Sequence, residues 1–251
     1  MEPYVKRETH NGITSIEFFH PQSNSLPAKI LGELATAITQ AGEDPATIVI
    51  ILCSAGDKSF CAGASFDELV AIQNEEEGLK FFSGFANVIN AMRRCPKFII
   101  GRIQGKCVGG GVGLAASVDY AIATEGAEVK LSELAVGIGP FVVGPAVERK
   151  IGTSAFSQLS IDASMWRNAD WAKRKGLFAE LHPTVEDMDE SIKKLSDTLM
   201  HSSPEAMAEM KKIFWKGTEH WDTFLIERAA ISGRLVLSDF TRNAIAKFKT
   251  R

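Results

Sequence analysis

Three short stretches of the chain carry residue types that chemistry can use. Two are loops of small residues, Phe60-Cys61-Ala62-Gly63-Ala64-Ser65-Phe66 and Gly109-Gly110-Gly111-Val112-Gly113, and each follows an apolar run that reads as a buried strand. Small side chains let a backbone approach a ligand closely and leave its N–H groups free to point outward. The second loop also opens a short apolar helix, Leu114 to Val118. N–H groups in a helix's first turn have no partner within the helix, and the dipole there favours negative charge. One N–H from each loop, meeting at a carbonyl oxygen, would form an oxyanion hole, whereas either loop alone also reads as a tight turn. The third stretch, Lys130 to Phe141 (KLSELAVGIGPF), sets Glu133 among apolar residues. A carboxylate there is either partly buried with a raised pKa, as suits a general base, or solvated on a loop.

Other chemistries find little support. No G-x-x-x-x-G-K-[ST] phosphate loop is present. Gly111-x-Gly113-x-x-Ala116 matches a permissive dinucleotide pattern, but the loop belongs to a later strand–helix unit and starts well past its strand. Cys61 beside Phe60 reads as a small core residue, and Ser65 lacks the flanks of a hydrolase elbow. His10, His20, His182, His201 and His220 show no metal spacing. Cys53, Cys61, Cys95 and Cys107 form no C-x-x-C pair and read as reduced thiols. A net charge of −3 argues against a general polyanion binder, while leaving room for a local cluster, drawn from Lys58, Lys97, Arg102 and Lys106, to hold a small phosphorylated ligand. Lys211, Lys212 and Lys216 read as a solvated helix face.

The elements that must position these loops follow from periodicity. At 251 residues the chain can form one large domain that buries about 70–75% of its unfolded surface. Ile13–Phe19 alternates as a strand, and a helix opens at Pro27 and runs to about Gly42. Thr47–Cys53 and Lys97–Gln104 are β-branched runs of the kind covered on both faces, with helices expected over Phe66–Gln73 and Leu79–Arg94. Tyr120–Thr124 and Glu128–Leu131 read as short strands. Beyond residue 150 the pattern is helical over Ser154–Ile161, Trp171–Lys175, Val185–Met200, Pro204–Trp215 and Trp221–Lys249. These units predict an α/β fold with a parallel layer and helices packed at its C-terminal end. No apolar run is long enough to span a membrane, the start lacks a signal peptide's apolar core and the tail carries no peroxisomal address, so the expectation is a soluble, cytoplasmic protein.

FCAGASFDEL (60–69), IQGKCVGGGVGLAASVDYAIAT (103–124) and LSELAVGIGP (131–140), with HPQSNSL (20–26) as a weaker match, resemble in order the signature segments of the crotonase (enoyl-CoA hydratase/isomerase) superfamily. The resemblance implies a crotonase-like spiral of ββα repeats over residues 1–190 carrying an acyl-CoA site, then a C-terminal helical trimerisation region over 191–251. It implies a coenzyme A thioester as substrate, no tightly bound cofactor and no metal, no nucleic-acid or membrane partner, and assembly as a homotrimer or dimer of trimers. Ala64 and Gly110 match the two backbone donors to the thioester oxygen, and Glu133 matches a catalytic glutamate. Ser25, Ala62, Ser65 and Phe66 match positions lining coenzyme A, Gly113 and Phe141 fall on the substrate side, and Phe248 is expected to help cover the adenine. The chain departs from the best-known hydratases at Gly113, where they carry a second glutamate, and at Pro140-Phe141-Val142-Val143-Gly144. A single glutamate resembles both Δ3,Δ2-enoyl-CoA isomerases and bacterial methylglutaconyl-type hydratases. The expectation is therefore hydration of a 2-enoyl-CoA, with a branched chain as one option. Isomerisation of a 3-enoyl-CoA comes next, and decarboxylation or a catalytically silent CoA-binding role after it.

Overall fold

The computed structural model describes residues 1–249, with side chains as far as Lys247. Its first element is a hairpin of β1 (Tyr4–His10) and β2 (Ile13–Phe19), closed by Asn11 and Gly12 with φ of 49° and 82°. That turn has the paired positive φ that suits the twist of a two-residue hairpin, and Asn-Gly is the sequence most given to it. Helix α1 (Ala28–Glu43) follows, and the chain then repeats one motif. Strands β3 (Val49–Ser54) and β4 (Ser59–Cys61) lead to α2 (Phe66–Ala71) and α3 (Glu75–Arg94). Strands β5 (Phe98–Ile103) and β6 (Lys106–Val108) lead to α4 (Gly110–Ser117). Strands β7 (Tyr120–Thr124) and β8 (Glu128–Lys130) lead through a 3₁₀ turn, Glu133–Val136, to α5 (Gly144–Ile161), which is interrupted at Gly152.

Each repeat gives its first strand to one sheet and its second to another. The larger sheet has the order β1-β2-β3-β5-β7-β10 and is parallel from β2 onward, with β10 at Glu180–His182. The smaller runs β4-β6-β8-β9, its first three strands parallel and β9 at Arg167–Asn168 antiparallel. The single parallel layer expected from periodicity is thus two layers wound as a spiral. Strands β4 and β6 have three residues each, too few to show a period, whereas β8 falls on the short strand read at Glu128–Leu131 and the spiral is the one the family resemblance implies.

The main core joins Ile16, Phe18, Ile50 and Leu52 of the larger sheet to Phe60, Cys107 and Val129 of the smaller, under Leu34, Phe85 and Val88 of the helices. Val49, Ile100 and Ile122 face the other way, against Met188 and Ile192 of α7 (Val185–Met200). Cover on both faces is why the strand at Val49–Ser54 reads as an unbroken apolar run. At the carboxyl ends of these strands the buried Gln104 side-chain amide donates to Ser54 Oγ (2.9 Å) and the Gly56 carbonyl (3.1 Å), while the backbone carbonyl of Gln104 accepts from Thr124 Oγ1 (3.0 Å). Strands β3, β5 and β7 are fastened there, just before the chain crosses to the smaller sheet.

The remaining helices are α6 (Ala169–Arg174), α8 (Pro204–Phe214), α9 (Trp221–Leu235) and α10 (Asp239–Lys249). The one long helix expected over Trp221–Lys249 is two, because Ser238 Oγ accepts from Thr241 N (3.2 Å) and starts a new helix. Residue 190, the expected domain division, falls inside α7. Among the described residues no helix is long and apolar enough to cross a membrane.

Lys211 corrects the sequence reading. Lys212 and Lys216 are exposed, but the Lys211 side chain is 2% exposed and pairs with Asp119 (2.8 Å), itself 7% exposed. Its Nζ also donates to the Lys97 carbonyl (2.7 Å), and Asp119 accepts from Ile99 N (2.8 Å). The pair pins α8 to the β5 and β7 edges. Replacing one partner strands a buried charge, so Lys211→Met is expected to cost about 3–5 kcal/mol in urea unfolding, and the double variant with Asp119→Asn less than that.

Candidate active site

The first loop is held by a single bridge between Leu26 and Ala64. Leu26 N donates to the Gly63 carbonyl (2.7 Å) and Ser65 N to the Leu26 carbonyl (3.3 Å). In this parallel pattern the bonds flank Ala64, so its own N–H turns to the opposite side. In the second loop Gly109 N donates to the Lys130 carbonyl (2.9 Å), and Val112 N and Gly113 N donate to the Gly109 carbonyl. Gly110 is the first residue of α4, where an N–H has no helical acceptor. Among the described residues the N–H groups of Ala64 and Gly110 donate to nothing. The loops touch backbone to backbone: a Cβ at Gly63 would lie 3.3 Å from Gly110 N and 2.7 Å from the Val108 carbonyl oxygen.

Ala64 and Gly110 line one cavity of about 470 Å³. Its wall is largely apolar, with Leu69, Phe82, Phe85, Ile138 and Val142 contributing, and among the described residues Glu133 is the only acid on it. Glu133 as a residue is half-buried, but its Oε2 is cut off from solvent and has no hydrogen-bond partner. Burial raises its pKa to about 7, opposed only by a bond from its own backbone. Of the two readings open in the sequence, the structure therefore selects the buried carboxylate.

The carboxylate lies against the second loop. Gly109 has φ 51° and ψ −112°, a conformation that disfavours any side chain, and a Cβ there would stand 3.0 Å from Glu133 Oε1. Glycine at this position thus permits both the turn and the acid beside it. On its other side the 3₁₀ turn of Glu133 is backed by α10, since a Cβ at Gly137 would fall 2.5 Å from Phe240 Cδ1.

Of the residues singled out in the sequence, Ala62, Ala64, Phe66, Gly110, Glu133 and Phe141 line the cavity. Ser25, Ser65 and Gly113 do not. Ser25 Oγ is bonded to His20 Nδ1 (2.9 Å), and Ser65 caps α2 by accepting from Glu68 N. At Gly113 a Cβ would meet Val143 Cγ1 at 2.6 Å, so valine fills the space beside that position. The Phe248 side chain lies outside the described residues. Cys61 is fully buried and its thiol is pushed up to about 12, as fits a core residue. Among the basic residues expected near a phosphorylated ligand, Arg102 is tied to Asp189 (2.6 Å) and Lys106 to Glu128 (3.2 Å). Gly109, Lys130 and Val143 lie within the stretches singled out in the sequence, but no role of their own was assigned to them there. The signal for Lys130 was its place on the short strand before Glu133, where outward residues alternate with buried Val129 and Leu131.

The model of the enoyl-CoA hydratase/isomerase family matches residues 8–242. The chain is similar to the carnitinyl-CoA dehydratases of Proteus mirabilis, 29% identical over 206 residues, and of Escherichia coli K12, 29% identical over 211. In both cases the match covers 82% of this chain and 78% of the relative. Its fold is shared with an enoyl-CoA hydratase of Bacillus halodurans at a TM-score of 0.90 and 21% identity, covering 97% of this chain and 99% of that one. It is shared also with an enoyl-CoA hydratase of Mycobacterium smegmatis at 0.81 and 25%, covering 99% and 97%. With the family match running almost from end to end, the chain belongs to the enoyl-CoA hydratase/isomerase family.

Proposed function

We propose that the protein binds a 2-enoyl thioester of coenzyme A and adds water across its double bond. The N–H groups of Ala64 and Gly110 hold the thioester oxygen, and Glu133 moves the proton. One observation carries this reading: a buried carboxylate, its Oε2 without a hydrogen-bond partner among the described residues, sits against Gly109, next in sequence to the free N–H of Gly110. The names of the relatives, a dehydratase of one acyl-CoA and hydratases of others, support chemistry with water.

The geometry suggests the following course. Glu133 takes a proton from water as the water oxygen bonds to Cβ, and the electron pair of the double bond moves onto the thioester as an enolate. Two N–H donors aimed at that oxygen stabilise it, and losing one such donor costs about 2.7–4 kcal/mol in related sites. The enolate then takes the proton back from Glu133 at Cα, on the face where the water was added. A pKa of about 7 lets one group both accept and return that proton at neutral pH.

A second reading is favoured by Glu133 being, among the described residues, the only acid on the cavity wall and by Val143 filling the space at Gly113. One base suffices to carry a proton from Cα to Cγ of a 3-enoyl-CoA, which is isomerisation. Crotonyl-CoA and 3-hexenoyl-CoA separate the two. Loss of the conjugated enoyl-thioester absorbance with crotonyl-CoA supports hydration, and turnover of 3-hexenoyl-CoA alone would replace it with isomerisation.

Glu133→Gln keeps the shape and removes the base, so kcat should fall by roughly 10²–10⁴. In the native protein kcat/KM should rise with pH up to about 7 and then level off, because only the ionised carboxylate accepts the proton. Stability has the opposite sign. A carboxyl whose folded pKa is raised favours the folded state at low pH and loses that contribution as pH rises through 7. Glu133→Gln should therefore melt higher than the native protein at pH 8. Gly109→Ala should depress kcat by at least about tenfold, since its methyl meets Glu133 Oε1 and the backbone there resists a side chain. Single-turnover kinetics checks that the loss lies in the chemical step.

A further inference from the structure

The cavity holds a charge that the proposed reaction does not use. Lys130 ends β8, is half-buried and lines the cavity wall together with Ala163 and Ser164, and among the described residues no other lysine or arginine does so. Its carbonyl accepts from Gly109 N, so its side chain starts beside the loop that carries Gly110. The ammonium stands 4.5 Å from the centre of the Trp166 ring, whose face attracts a cation without neutralising it. Lys106 faces the same ring at 4.7 Å but is paired with Glu128. Lys130 is in none of the ion pairs among the described residues. Nor is it the counter-charge of Glu133, whose carboxyl is governed by burial with no cation drawing it down.

An unpaired cation on a largely apolar wall implies a ligand with a matching charge. We propose that Lys130 pairs with a second carboxylate on the acyl group, so that the substrates are acyl-CoA thioesters of dicarboxylic acids. This rests on the thioester reading of the site and narrows it. The phosphates of coenzyme A are the other anions within the same ligand. They lie beyond the pantetheine arm, and a four-carbon side chain rooted beside the oxyanion loop is too short to span that arm.

Binding of saturated analogues tests the assignment without any turnover. Dissociation constants for glutaryl-CoA and pentanoyl-CoA, matched in length, should favour glutaryl-CoA by about tenfold or more, as a charge-assisted bond in a partly desolvated site allows. Lys130→Met should bring the ratio near one, and Lys130→Arg should retain most of it, with circular dichroism checking that both variants fold. The preference should persist with the corresponding pantetheine thioesters, which lack the nucleotide. A native protein with no preference for glutaryl-CoA, or a preference that survives Lys130→Met, overturns the proposal. So does a Lys130→Met effect equal for both acyl-CoAs and absent with the pantetheine thioesters, which would give the lysine to the phosphates. If neither acyl-CoA binds at all, it is the thioester reading that falls.

Discussion

The Glu133 carboxyl is kept from water with Oε2 unpaired, and burying such a group without a bond costs on the order of 1–3 kcal/mol. The molecule holds it there by means that have little to do with the acid itself. A tight 3₁₀ turn ends at Gly137, α10 lies against that turn, and Gly109 leaves room where any other residue would intrude. The same cavity is lined by Ala64 and Gly110, whose N–H groups also lack acceptors among the described residues. Hydrogen-bonding capacity left open around one space is poor for stability and useful for a ligand that supplies what is missing.

The spiral explains how three distant segments reach this space. Each repeat sends a strand into the large sheet and a three-residue strand into the small one, and the chain leaves the small sheet at successive neighbouring positions. The loops after β4 and β6 and the turn after β8 are therefore side by side, although Ala64, Gly110 and Glu133 are far apart in sequence. The direct contact of Gly63 with Val108 and Gly110 fixes the first two more tightly than side chains could. The Lys130–Gly109 bond fixes the third.

Much of this was legible in the residues. The long strands and helices follow from their apolar periods, and the three motif segments point to the loops that line the cavity. The buried state of Glu133 was not legible, because most glutamates are exposed and only tertiary packing brings α10 and Gly109 against it. The two-sheet arrangement came only with the family resemblance and not from periodicity, since Ser59–Cys61 and Lys106–Val108 are too short to carry a period. Lys211 misled because a lysine on an amphipathic helix is usually solvated, and its partner Asp119 is 92 positions away in sequence. The opening strand Tyr4–His10 and its hairpin were missed, although Asn11-Gly12 is a hairpin signal available without coordinates.

The contact between Gly113 and Val143 bears on how such a site could change over time. A larger residue at 113 would be driven into the valine, and overpacking a close-fitted interior commonly costs about 1–3 kcal/mol. Acquiring another acid there by one replacement passes through a strained protein, whereas trimming the valine first opens a hole that is itself unfavourable. Placing a carboxylate at 113 is thus uphill by either route, and the packing itself, with no repulsion between charges, is enough to keep that position small.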